Sequence, residues 1–326
     1  MSIVFLVAGL VLLAVSGDAL VRGAISAAQR MHIPPIITGL TIVAFGTSAP
    51  ELIVSLEAAL SGAPGLAIGN VLGSNVANTL LVLGVPAMIA AFALTEDGIR
   101  RSTVFLLAIS IALIFIIMNG QISRFEGLIL FSLLIIYLTY SGIEATRART
   151  DRLEEIEEEK LNGNGKDIID DEEAPLTTIW ILGFIAFGII GLGIGGKLTI
   201  SGALGVSQMF GVADTAIGLT IVALGTSLPE LAASVSAALR RQAGMMIGNV
   251  IGSSIFNILG ILGITAMVLP LSVPQSIISF DIWVMLSVFL ILVPMAFMTR
   301  KVGRLQGWLM SIAYIIYILL VFHRAG

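Results

Sequence analysis

Two stretches decide how this chain folds: GLTIVAFGTSAPE (residues 39–51) followed by GNVLGSNVAN (69–78), and GLTIVALGTSLPE (218–230) followed by GNVIGSSIFN (248–257). They are one pattern written twice. Residues 39–84 align with 218–263 without a gap at a constant offset of 179, and 27 of the 46 positions are identical, which identifies an internal duplication. Each copy is apolar, yet carries Gly46 or Gly225, then Pro50 or Pro229, and directly after the proline a glutamate, Glu51 or Glu230. Proline inside a helix removes a backbone donor and crowds the carbonyl four residues earlier. Each helix is therefore expected to break there and to release carbonyls near Ala44, Thr47, Ala223 and Thr226.

Around these stretches the chain is 57% hydrophobic and 12% charged over 326 residues, with a mean hydropathy of +1.04, far outside the range of soluble domains. Runs of about 20 apolar residues, the length needed to cross a bilayer core, recur at 3–29, 35–60, 65–92, 102–118, 125–146, 176–206, 214–239, 244–270, 278–299 and 305–323. The first lacks a positive leading region and a small-residue cleavage site, so it reads as a retained helix. Alternating ten-residue segments of a membrane barrel are absent. The chain has no cysteine, and its two histidines, His32 and His323, fall at span edges. Thiolate or imidazole metal sites, haem ligation and Cys or His nucleophiles thus have no residues at depth.

The polar segment 147–175 holds 11 of the 21 acidic residues and separates two halves, 1–146 and 176–326, with five expected spans each. It reads as a linker: a short charged helix, broken by Asn-Gly-Asn-Gly, then a solvated loop. An odd number of spans per half makes the second copy enter the membrane from the opposite side. The expected fold is thus an all-α membrane protein with ten transmembrane helices in two inverted-topology five-helix repeats, an architecture of secondary transporters. Arg30, Arg100, Arg101, Arg147, Arg149, Arg152, Lys160, Lys166, Arg240, Arg241, Arg300, Lys301 and Arg304 all fall on one side, and only Arg124 and Arg324 clearly on the other. The basic side is expected to be cytoplasmic. Both termini then lie outside a cell (inner) membrane and the linker inside.

A carboxylate at mid-membrane costs several kcal/mol and marks function. Glu51 and Glu230 recur at equivalent positions, with no basic residue at their depth. With the released carbonyls, the hydroxyls of Thr47, Ser48, Thr226 and Ser227, and the amides of Asn78 and Asn257, they form an all-oxygen set suited to hard cations such as Ca²⁺ and Na⁺. Ser55, Ser234, Gly62 and Gly65 read as helix-packing residues. Asn70 and Asn249 are open between ligand and helix bridge. Asp18, Glu57, Glu126, Glu144, Asp214 and Asp281 have no acidic counterpart in the other half and read as interfacial or structural. Asp18 aligns with Lys197, which leaves an ion pair across the halves open.

At these residues the chain resembles the cation/calcium exchanger superfamily, and within it the prokaryotic sodium/calcium exchangers, whose two alpha repeats look like GTSAPE with GNVLGSNVAN and GTSLPE with GNVIGSSIFN. The resemblance covers nearly everything but the linker. It implies that the first and sixth helices lie long and tilted against a core of the other eight. It also implies that Glu51 and Glu230 are shared by a calcium site and flanking sodium sites, with the Thr47 and Thr226 carbonyls completing the calcium site. Ala44 and Ser74 would serve a sodium site nearer the cytoplasm, Ala223 and Ser253 one nearer the outside, and Asn78 would face Asn257. Some relatives carry aspartate at 257, and Asn257 argues against a potassium requirement. Ca²⁺ and Na⁺ would be cargo in a lipid bilayer, with no cofactor, nucleic acid or obligatory protein partner implied. A potassium-dependent or proton-coupled calcium antiporter of the same fold is the alternative. A cation channel is a rival of another class, and an intramembrane hydrolase would lack a nucleophile and base.

Overall fold

The computed structural model describes residues 2–93, 98–161, 176–209, 224–297 and 301–325. These are helical almost throughout: α1 (Ser2–Met31), α2 (Pro35–Thr47), α3 (Ala49–Leu60), α4 (Pro64–Ile89), α5 (Ile99–Ile117), α6 (Arg124–Leu161), α7 (Thr178–Met209), α8 (Leu228–Leu239), α9 (Ala243–Val268), α10 (Ile277–Phe297) and α11 (Arg304–Ala325). Eight of these helices are long and apolar enough to cross a membrane, and α2 with α3, bent by 43°, counts as a ninth if taken as one span. The span expected at 214–239 falls partly outside the described residues, which hold only its second part, α8. Of the acidic segment, the described part continues α6 as a helix to Leu161.

Helices α4 and α9, which carry the Gly-Asn motifs, form the centre. Their most apolar windows are 83% and 89% buried, against 22–44% for the other single-helix spans. The outer helices turn large apolar side chains such as Phe115, Phe125, Ile179 and Leu305 outward, as a lipid-facing surface requires. Two short antiparallel strand pairs close the ends: β1 (Phe92–Ala93) with β4 (Lys301–Val302), and β2 (Gln121–Ile122) with β3 (Leu271–Ser272). Each pair joins one strand from each half.

Small residues let the helices approach closely. Helices α1 and α7 pack along one another. A Cβ on Gly23 would lie 2.8 Å from Ile185, and one on Gly202, its equivalent, 2.7 Å from the Cα of Leu6, again the equivalent residue. Helix α2 of the first half crosses α9 of the second, where a Cβ on Gly248 would collide with the Ile36 carbonyl and come within 2.9 Å of the Leu40 nitrogen.

Several intramembrane acids have the structural roles expected of them. Glu126 closes a capping box: its carboxylate accepts from the Ser123 amide (2.7 Å) and hydroxyl (2.8 Å), while its own amide donates to the Ser123 hydroxyl (3.2 Å). Glu144 accepts from Arg101 at 2.9 Å. The ion pair left open between Asp18 and Lys197 does not form. Asp18 instead takes Arg22, one turn on, and Arg240 beyond the end of α8, while Lys197 is exposed.

The crossing of α2 and α9 gives a first prediction. Gly248→Val drives a side chain into the α2 backbone, which cannot yield as a flexible side chain would, and should destabilise the protein by about 1–3 kcal/mol or more. Gly183→Ala, where a Cβ meets nothing within 4 Å, should leave stability unchanged. Thermal unfolding of the two variants in detergent measures the difference.

Candidate functional site

The breaks expected at the prolines occur at equivalent positions of the two repeats. Helix α2 ends at Ser48 (φ −85°, ψ 5°), and Ser227 has the same conformation (φ −85°, ψ 0°) before α8. Each new helix opens with a residue, a proline and a glutamate. The proline thus sits in the first turn, where a missing N–H costs nothing. Glu51 and Glu230 sit at the end of that turn, where the partial positive charge of the helix start favours a carboxylate. Alongside the breaks, Asn78 and Asn257 each begin a five-residue π-helical segment, Asn78–Val82 and Asn257–Ile261. Nothing in the sequence pattern foretold these wider turns, which are frequent at functional sites.

Eleven of the twelve candidate residues lie within the described residues and every one of those is buried; Ala223 lies outside them. Contacts between the halves bring them together. The Ser48 hydroxyl donates to Glu230 Oε1 at 2.8 Å, the Asn257 amide donates to Ser74 Oγ at 3.0 Å, and Glu51 and Glu230 are close enough to repel one another. Among the described residues neither glutamate has an ion-pair partner. Among the described residues, both oxygens of Glu51, Oε2 of Glu230, the hydroxyls of Ser227 and Ser253, and the side-chain oxygens of Asn78 and Asn257 have no hydrogen-bond partner. Buried polar atoms are normally satisfied. These seven oxygens, all on candidate residues, are donors of the kind that a hard cation takes.

One expectation needs correction. The Ala44 carbonyl is not released by the break: it accepts the Ser48 amide at 3.0 Å and the Thr47 hydroxyl at 3.3 Å. Among the described residues no backbone amide donates to the Thr47 carbonyl.

Asn70 and Asn249, left open by the sequence, are braces. Each amide nitrogen donates to a serine of the neighbouring helix in its own half, Asn70 to Ser55 and Asn249 to Ser234, both at 3.0 Å. Each amide oxygen accepts from the broken helix of the other half, Asn249 from Thr47 and Asn70 from Thr226, both at 3.3 Å. The symmetry stops at the carboxylates. Among the described residues Ser48 reaches Glu230 while Ser227 does not reach Glu51, and Asn257 donates to Ser74 and Asn75 (3.2 Å) while both polar atoms of Asn78 have no partner.

The family described as sodium/calcium exchanger protein matches residues 1–142 and 180–323. The putative antiporter CaxA of Alkalimonas amylolytica is 34% identical over 325 residues, 98% of this chain and 98% of its own. Sodium/calcium exchanger MaX1 of Methanosarcina acetivorans is 30% identical over 355 residues, 98% of this chain and 97% of its own. A solved structure of the sodium-calcium exchanger NCX_Mj, soaked with Na⁺ and Sr²⁺, superposes with a TM-score of 0.80 at 31% identity, covering 98% of this chain and 97% of that one.

The braces are testable as a pair. Asn249→Leu removes the amide that bonds both Thr47 and Ser234 in a buried setting, leaving Thr47 only the Ala44 carbonyl, and should cost about 1–3 kcal/mol. Because Thr47→Val removes one end of the same bond, the double variant should lose clearly less than the sum of the two single losses. Thermal unfolding of the four proteins in detergent closes this cycle, and strictly additive losses would show that the two residues do not act together.

Proposed function

The chain belongs to the sodium/calcium exchanger protein family and is an antiporter of Na⁺ against Ca²⁺; from that premise we propose that Glu51 and Glu230 hold the two ions in turn at one site, exposed alternately to the two sides of the membrane. The observation that carries this reading is the pair of fully buried, mutually close carboxylates that have no basic partner among the described residues, with unsatisfied neutral oxygens on the other candidate residues. Their combined charge of −2 is neutralised by one Ca²⁺ or matched by several Na⁺, so the two loads exclude each other. Thr47, Ser48, Ser74 and Asn78 from one half, with Thr226, Ser227, Ser253 and Asn257 from the other, supply the neutral ligands. Ala223 would contribute a carbonyl to a flanking sodium site, whereas the Ala44 carbonyl is held by Ser48 and Thr47 in this conformation. Alternation follows if only the loaded site lets the protein change sides. Each Na⁺ descending a tenfold gradient then supplies about 1.4 kcal/mol, and each net charge about 2.3 kcal/mol per 100 mV.

The architecture that suits this cycle is ten spans in two inverted repeats, residues 1–146 and 176–326, with 147–175 as a cytoplasmic linker and both termini outside a cell membrane. The strand pairs agree with it. In an alternating ten-span path starting outside, β1 and β4 both fall on the inner side, and β2 and β3 both on the outer.

Two outcomes are expected. In potassium-free proteoliposomes the wild type should show calcium flux driven by a sodium gradient, and Glu51→Gln and Glu230→Gln should each abolish it while the protein remains folded, since a lost full charge weakens a divalent ion more than a lost neutral ligand. Flux near wild type in either variant rules out the two-glutamate site, and a wild type silent until potassium is added would point to the potassium-dependent alternative. For the orientation, Asn164→Cys should react only with reagents admitted to the cytoplasm, and labelling of intact cells from outside would reverse the assigned topology.

A further inference from the structure

Helices α1 and α7 pack on one another symmetrically but on the rest of the protein asymmetrically. A Cβ on Gly17 of α1 would lie 3.0 Å from the Ala232 backbone of α8. At the equivalent place on α7, a Cβ on Gly196 meets nothing nearer than the Gly225 oxygen at 3.8 Å among the described residues, and Ile53, the equivalent of Ala232, is 64% exposed. The α1/α7 pair therefore leans on α8 and away from α3.

A cluster of charges stands where it leans. Asp18 of α1 accepts from Arg240 (Nε at 3.0 Å), from Ser236 Oγ (3.2 Å) and from Arg22 of its own helix (2.9 Å). The repeat offset of 179 carries Asp18 to Lys197, Ser236 to Glu57 and Arg240 to Ser61. On the α8 side an acid of the leaning pair meets a base at a helix end. On the α3 side a base of the pair stands opposite an acid near a helix end, with the signs reversed. Lys197 and Glu57 are both exposed here and carry no ion pair among the described residues.

We propose that these residues form an alternating ionic latch: Asp18 with Arg240 holds the α1/α7 pair against α8 in the conformation described here, and Lys197 with Glu57 replaces it when the pair leans on α3. The inference rests on the alternating exposure read above. Half-exposed ion pairs contribute little to folding, but a latch need only differ between two conformations of similar free energy, where a small bias shifts the populations.

The absence of native cysteine makes the test direct. Ile53→Cys and, in a separate chain, Ala232→Cys serve as reporters in full-length protein in liposomes, and the rates of labelling by a water-soluble maleimide are compared. Adding Asp18→Asn should slow labelling of the Ile53→Cys reporter and speed that of the Ala232→Cys reporter, changing their ratio about two- to fivefold. Lys197→Gln and Glu57→Gln, both at exposed positions where folding is not at stake, should change it in the opposite direction. Lys197→Glu combined with Glu57→Lys should restore the wild-type ratio. Ratios that stay unchanged, or that move the same way in all three single variants, overturn the latch. Sodium-driven calcium flux by the wild type in the same liposomes is measured alongside, and its absence overturns the exchange reading instead.

Discussion

Two carboxylates close together in a water-poor interior, with no basic partner among the described residues, are a constraint from which much of the structure follows. Their mutual repulsion and desolvation have to be offset locally, and the fold does so with helix starts, hydroxyls and amides in place of lysine or arginine. A fixed basic partner would have neutralised the site permanently. Neutral dipoles soften the charge and leave it available to a mobile ion, which is what an exchanger requires. The broken helices, the buried position of α4 and α9 and the glycines at the crossings all serve to bring those dipoles to the same spot.

The braces from Asn70 and Asn249 explain how such a site keeps its shape. Each ties the break of one half to the central helix of the other, four residues before the glutamate. Around this symmetric frame the candidate ligands are unevenly engaged: Ser48 and Asn257 are bonded, while Ser227 and Asn78 have no partner among the described residues. A rigid symmetric scaffold with an asymmetric occupant layer is the arrangement expected of a site that is presented to one side at a time.

Much of this was legible in the sequence for a physical reason: a glutamate after a proline inside an apolar run is expensive, and its recurrence at a fixed offset cannot be a packing accident. The two glutamates and the oxygens around the breaks followed from that, Ser74 and Ser253 only from the family resemblance, and the eleven candidates within the described residues are all buried. What was hidden depends on contacts across the repeat. Asn70 and Asn249 look alike as ligands or as bridges until their partners are seen. The π-helical turns at Asn78 and Asn257 have no local signature. The Ala44 carbonyl keeps its bonds because the break falls at Ser48, a choice set by the packing of α2 against α9. The pairing of Asp18 with Arg240 was missed because alignment relates residues by symmetry, whereas contact relates them by proximity.

The two strand pairs and the crossing of α2 over α9 bear on how the chain reaches its native state. As the first half emerges during synthesis, β1 and β2 have no partner and α2 has nothing to cross, since β3, β4 and α9 are all made later. The first half must therefore wait in the bilayer as loosely associated helices, its edges open, until the second has been inserted. Residues that end as partners are separated by well over a hundred positions, so loop closure spans most of the chain. The duplicated halves are units of ancestry and of symmetry, but the unit of folding is the whole chain.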